Sequence, residues 1–102
     1  MSLVLYTVQK EKERIEYMIT AYKRELDSLP KGSVVVKTVG RNNYFYLKYR
    51  DGKKVFTDYV GKAGEKVQTV RSQLERRRHI EAMIAHLQSE RLLVNKVLEA
   101  NL

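Results

Sequence analysis

The chain has no cysteine and no tryptophan, a single proline and only five glycines. The missing cysteine excludes disulfides and thiolate metal sites, and it fits a reducing cytoplasm. No apolar run approaches the roughly 20 residues of a membrane span, and no signal peptide is visible. The expectation is a cytoplasmic protein that does not engage a membrane. No serine sits in a nucleophile-elbow context, and Lys31-Gly32-Ser33 lacks the upstream glycine of a phosphate-cradling loop. The two histidines, His79 and His86, are seven residues apart, which on a helix separates their backbones by about 10 Å and makes joint metal ligation awkward. Glu75 and Glu90 stand at helical spacing from them and read as surface ion-pair partners. With no catalytic or ligating pattern, the chain is expected to be non-enzymatic and to need no cofactor.

What the sequence has in excess is positive charge. Its 102 residues, enough for one small domain, carry 20 Lys and Arg against 12 Asp and Glu, a net +8. Residues 34 to 63 alone hold seven basic and two acidic side chains. A basic excess concentrated in one segment points to an anionic partner, although unbalanced surface charge also serves solubility.

That segment contains the densest pattern in the chain, YFYLKYRDGKKVFTDYVGK from Tyr44 to Lys62. Two β-branched and aromatic runs flank Asp51-Gly52, a strong hairpin signal. Taking Asp51 and Gly52 as the central pair sets Arg50 opposite Lys53, Lys48 opposite Val55, Tyr46 opposite Thr57 and Tyr44 opposite Tyr59. Strand alternation puts these eight on one face, while Phe45, Leu47, Tyr49, Phe56 and Val60 fall on the other with Lys54 and Asp58. Asp58 reads as a diagonal partner of Lys54. The upstream run Ser33 to Val39, joined through Gly40-Arg41-Asn42-Asn43, reads as a third antiparallel strand. Parity then adds Lys37 to the tyrosine face.

Helical periodicity brackets the sheet. Leu5, Val8, Ile15, Ile19, Tyr22, Leu26 and Leu29 recur with heptad spacing, with Lys12 in the missing place. The first few residues are β-branched, which argues against a start much before Thr7, and Pro30 with Gly32 ends the helix. A second helix is expected over about 65 to 98. Its stripe begins with Val67, Val70 and Leu74, is interrupted by Arg76-Arg77-Arg78-His79, and resumes in a new phase with Ile80, Ile84, Leu87, Val94 and Leu98. A stripe that changes phase suits a different partner for each half.

The expected fold is α+β in a single domain: a helix over about 5 to 29, a three-stranded antiparallel meander over 33 to 61 and the second helix, with the helices packed as an antiparallel coiled-coil-like pair and the sheet at one end. The apolar stripes have more surface than so small a sheet can cover. A homodimer is therefore expected, with Ile15, Ile19, Ile80, Ile84, Leu87 and Val94 at the subunit contact.

Tyr44, Tyr46, Leu47, Arg50, Gly52, Lys54, Tyr59, Gly61 and Lys62, preceded by Leu29-Pro30-Lys31-Gly32-Ser33, resemble the pattern of a group of small prokaryotic proteins without assigned activity: an aromatic strand, an arginine, an acidic-glycine turn and a strand ending Tyr-Val/Ile-Gly-Lys. The hairpin is also loosely similar to the amino-terminal sheets of some transposases and the arm-binding sheets of tyrosine recombinases. That similarity implies DNA association at most, since no room remains for their catalytic domains.

The candidate nucleic-acid site is Lys37, Tyr44, Tyr46, Lys48, Arg50, Lys53 and Tyr59. Lys48, Arg50 and Lys53 would meet phosphates, and the tyrosines would stack or anchor on sugar and base. DNA is favoured over RNA. Tyrosine and lysine also suit an exposed strand for reasons unrelated to any ligand. The second functional class is a protein-interaction module acting through the long amphipathic helices.

Overall fold

A computed structural model describes residues 2 to 101. The order is α1 (Leu3–Asp27), β1 (Ser33–Val39), β2 (Asn42–Asp51), β3 (Lys54–Gly61) and α2 (Glu65–Glu99), an α+β arrangement with the sheet ordered β1-β2-β3. The chain forms two compact units, one of residues 29–78 and the other of residues 1–28 with 79–102. The division falls inside α2 between Arg78 and His79, the point at which its apolar stripe changes phase.

In the helical unit, α1 begins earlier than its β-branched opening suggests. Ser2 caps it, its hydroxyl accepting from the Leu5 N–H at 3.0 Å, and such a cap contributes about 1 kcal/mol. At the other end, the Ser28 N–H donates to the Glu25 carbonyl and the chain turns into Pro30. Leu29, expected on the helical stripe, lies past the helix end. The outer side of α1 is charged, with Arg14 donating to Glu11 and Lys10 to Glu13.

The two helices pair through Ile15, Ile19 and Leu87, with Met18, Tyr22 and Val94 packed against them. This pairing corrects the expected subunit contact. Ile15, Ile19, Ile80, Ile84 and Leu87 are all buried within a single chain. The apolar stripes of α1 and α2 satisfy each other inside one molecule, so these residues present no surface to a second copy.

In the sheet unit, each hairpin turn has two residues. Val39 pairs with Asn42 across Gly40-Arg41, and Asp51 pairs with Lys54 across Gly52-Lys53. The central pair is thus Gly52-Lys53, not Asp51-Gly52, and the β2–β3 pairing is displaced by two residues from the expected register. A turn centred on Asp51-Gly52 in the favoured type I′ form asks for positive φ at both residues; the observed turn asks for it only at Gly52, whose φ is 62°. The observed register also sets Tyr49 against Phe56, stacked at 5.5 Å, and Tyr46 against Tyr59. Cross-strand aromatic pairs contribute roughly 0.2–1 kcal/mol each. A two-residue displacement preserves facing, so the division of side chains between the two faces survives.

The link before β1 is held by a close approach. Gly32 has φ 110°, and a Cβ there would strike the Lys48 carbonyl oxygen and lie 2.8 Å from the Tyr49 Cβ. The Leu29 carbonyl accepts from the Arg77 guanidinium at 3.2 Å, tying the same link to α2.

Candidate nucleic-acid interface

The first half of α2 covers the apolar face of the sheet. Its buried residues are Val67 and Leu74, and the Arg71 guanidinium lies 5.8 Å from the Phe45 ring centroid. On the β1 side, Arg71 and Arg78 border a cavity of about 310 Å³ with Ser33 and Val34. On the β3 side, an open groove of about 560 Å³ runs between Leu47, Asp58 and Val60 and the helix residues Lys66, Thr69 and Val70.

Asp58 on this face accepts a hydrogen bond from the Tyr49 hydroxyl, in place of the expected pairing with Lys54. That bond, then burial, then repulsion from the Asp58 and Asp51 carboxylates raise the Tyr49 pKa above its ordinary value.

The opposite face carries the tyrosines. Lys37 pairs with Tyr44, Val35 with Tyr46 and Ser33 with Lys48, while Tyr46 pairs with Tyr59, Lys48 with Thr57 and Arg50 with Val55. Directly opposed residues share a face. The Tyr46 and Tyr59 rings meet edge to face at 5.4 Å, and Tyr44 tilts against Tyr59 at 6.4 Å. The Lys37 ammonium sits 5.0 Å from the Tyr46 ring centroid. Tyr44 and Tyr46 are half-buried by these neighbours. Tyr59 remains 57% exposed and is the most exposed of the three.

Of the seven residues expected here, Lys37, Tyr44, Tyr46 and Tyr59 form one cluster. Lys48 and Arg50 extend the same face beside Thr57 and Val55, away from the rings. Lys53 does not join the strand face, because it occupies the turn. An eighth residue takes part that periodicity alone misassigns. Uninterrupted pairing from Tyr46–Tyr59 would send Lys62 to the helix-covered side. The register instead shifts between Phe45 and Tyr46, so that Phe45 pairs with Gly61, and this β-bulge re-aims the end of the strand. The Lys62 ammonium consequently lies 5.6 Å from the Tyr44 ring centroid. The glycine in Tyr59-Val60-Gly61-Lys62 was the available signal, since a glycine inside a strand pattern often marks a bulge.

Charge is divided sharply between the units. Residues 29–78 hold thirteen basic and four acidic side chains, net +9, whereas the helical unit holds seven and eight, net −1. The triple arginine belongs to the sheet unit but does not act as a block. Arg77 is half-buried and engaged with the Leu29 carbonyl, leaving Arg76 and Arg78 at the surface. Among the described residues no group of three or more His, Asp or Glu side chains is placed to hold a metal ion, and no helix is long and apolar enough to cross a membrane.

Residues 8–69 match the model of a domain of unknown function, DUF6788. The chain belongs to the DUF6788 family. No curated protein and no solved structure matches it. The DUF6788 span takes in most of α1, the whole sheet and the opening of α2, and so contains every residue of the tyrosine face.

Proposed function

We propose that this DUF6788 protein is a non-catalytic nucleic-acid-binding protein, of an accessory or regulatory kind, that works through the tyrosine face of its sheet. The observation that carries the reading is the cluster of Tyr44, Tyr46 and Tyr59 with the ammonium groups of Lys37 and Lys62 seated over two of the rings. Rings offer stacking surfaces to bases, and the cations among them meet the phosphates on either side. Tyr59, the most exposed of the three, is the stacking residue. Lys37, Lys48, Arg50 and Lys62 are the phosphate contacts. The +9 charge of the sheet unit supports the same reading, because phosphate contacts supply most of the sequence-independent affinity. The likeness of the hairpin to transposase and recombinase sheets favours DNA over RNA.

The test is fluorescence anisotropy of labelled single-stranded and duplex oligonucleotides with the wild-type protein and a Lys37→Glu/Lys48→Glu/Lys62→Glu variant, whose folding is checked by circular dichroism. Binding by the wild type and its loss in the folded variant is the expected result. Equal binding by both proteins would reject the tyrosine face as the contact surface.

A further inference from the structure

The side of α2 that faces away from α1 lacks the charge a solvated helix normally carries. At 3.6 residues per turn, Ala82, Ala85, Ser89, Leu92 and Leu93 lie on the side away from the buried Leu87, and Val97 flanks them. All six are exposed, with Leu92 at 64%, Leu93 at 58% and Val97 at 43%. In a chain that is 31% charged, this stretch of surface holds one cation, Lys96, and at its margin His86, which is within 3.8 Å of Glu90. The outer side of α1 is more mixed, with Lys10, Glu13 and Arg24 exposed beside Tyr6 and Tyr17. The Ser89 hydroxyl donates to the Ala85 carbonyl at 3.2 Å, so it needs no water. A helix apolar on two sides has two partners, and α1 accounts for one.

We propose that the second partner is another copy of this chain, bound through α2 against α2 in antiparallel fashion with the two-fold axis at Ser89. A two-fold contact must be self-complementary, and this surface is. Small residues, Ala82 and Ala85, lie on one side of Ser89 and large ones, Leu92 and Leu93, on the other. Antiparallel pairing about Ser89 seats Leu92 of each copy on Ala85 of its partner and Leu93 in the gap between Ala82 and His86, the large-on-small fit that close packing requires. The charges choose the same direction. A parallel pair sets Lys96 against Lys96, whereas the antiparallel pair places the two lysines fourteen residues apart along the helices, about 21 Å and well beyond the screening length of about 8 Å. The helical unit, at net −1, brings little repulsion to the contact. A nucleic-acid backbone would find a single lysine here.

The surface is separate from the buried residues Ile15, Ile19, Ile80, Ile84 and Leu87, and its test needs no nucleic acid. Sedimentation of the full chain over a concentration series is expected to show a dimer. Leu92→Lys/Leu93→Lys should weaken dimerisation by about 100-fold or more with helical content unchanged. Because the chain has no cysteine, single-cysteine variants report the direction: Ser89→Cys should cross-link on oxidation, and Lys96→Cys should not. A wild type that stays monomeric throughout, a dimer indifferent to Leu92→Lys/Leu93→Lys, or cross-linking through Lys96→Cys in preference to Ser89→Cys would overturn the proposal.

Discussion

The two compact units solve the small-protein problem in opposite ways. The helical unit, near neutral, joins two long helices through a continuous interior of Ile15, Ile19 and Leu87. The sheet unit, at net +9, has one helix-covered face and leaves the other to aromatic rings and lysines. Burial is thus concentrated where positive and negative charges balance, and the strongly basic unit is left with an exposed face of aromatic rings. Stability and binding should respond to different substitutions, and a variant that moved both together would join the units.

The largest effect is expected in the helical interior. Leu87→Ala, which empties a site 4% exposed, should cost about 2–5 kcal/mol by denaturant unfolding, while the remaining folded protein keeps its nucleic-acid affinity. A loss of affinity without a loss of stability would couple the two units functionally. In the sheet unit, Gly32→Ala combines a φ of 110° with a clash against the β2 backbone. It should cost about 3 kcal/mol, read as a lower urea midpoint, and a change under about 0.5 kcal/mol would show that the link does not hold β2.

On the binding side, Tyr59→Ala should lower affinity for single strands by about 10-fold or more, the loss of one base stack. Lys62→Glu should weaken binding more than Lys53→Glu, because the bulge brings Lys62 to the rings while Lys53 stays in the turn. The reverse ranking would restore the register expected from Asp51-Gly52.

Two smaller effects concern single polar groups. Asn95, in the helical unit, has a buried side-chain oxygen with no hydrogen-bond partner. Asn95→Leu should therefore stabilise by about 1 kcal/mol, raising Tm by roughly 4–8 °C; a fall in Tm would mean the amide is needed for helix register. Tyr49 has a raised pKa through its bond to Asp58. Its contribution to stability is full below the ordinary tyrosine value and lost as pH rises through the raised one. Tyr49→Phe should lack that alkaline loss in a stability–pH titration, and identical profiles would exclude the Asp58 bond.

The sequence was most informative where one geometric rule governs. Alternation assigned Tyr44, Tyr46, Lys48 and Arg50 to one face, and it was right despite a misplaced turn, because a displacement of two residues keeps every side chain on its side. It failed at Lys62, where a bulge breaks the alternation. The phase change at Arg76-Arg77-Arg78-His79 foretold the division of α2 between the two units. Which apolar residues the fold would bury was not legible, because periodicity marks an apolar stripe without saying what covers it. Ile80 and Leu92 carry the same local signal, and only the fold distinguishes the buried one from the exposed one. Pro30 and Gly32 signal only a helix stop, since nothing local to them reveals the approach of Gly32 to Lys48 and Tyr49.

The salt dependence of wild-type affinity for a duplex reads out whether lysine and arginine of the tyrosine face contact phosphate. Four phosphate contacts, from Lys37, Lys48, Arg50 and Lys62, predict a log–log slope of about −3.6. A slope near zero, or no binding at low salt, would contradict the account.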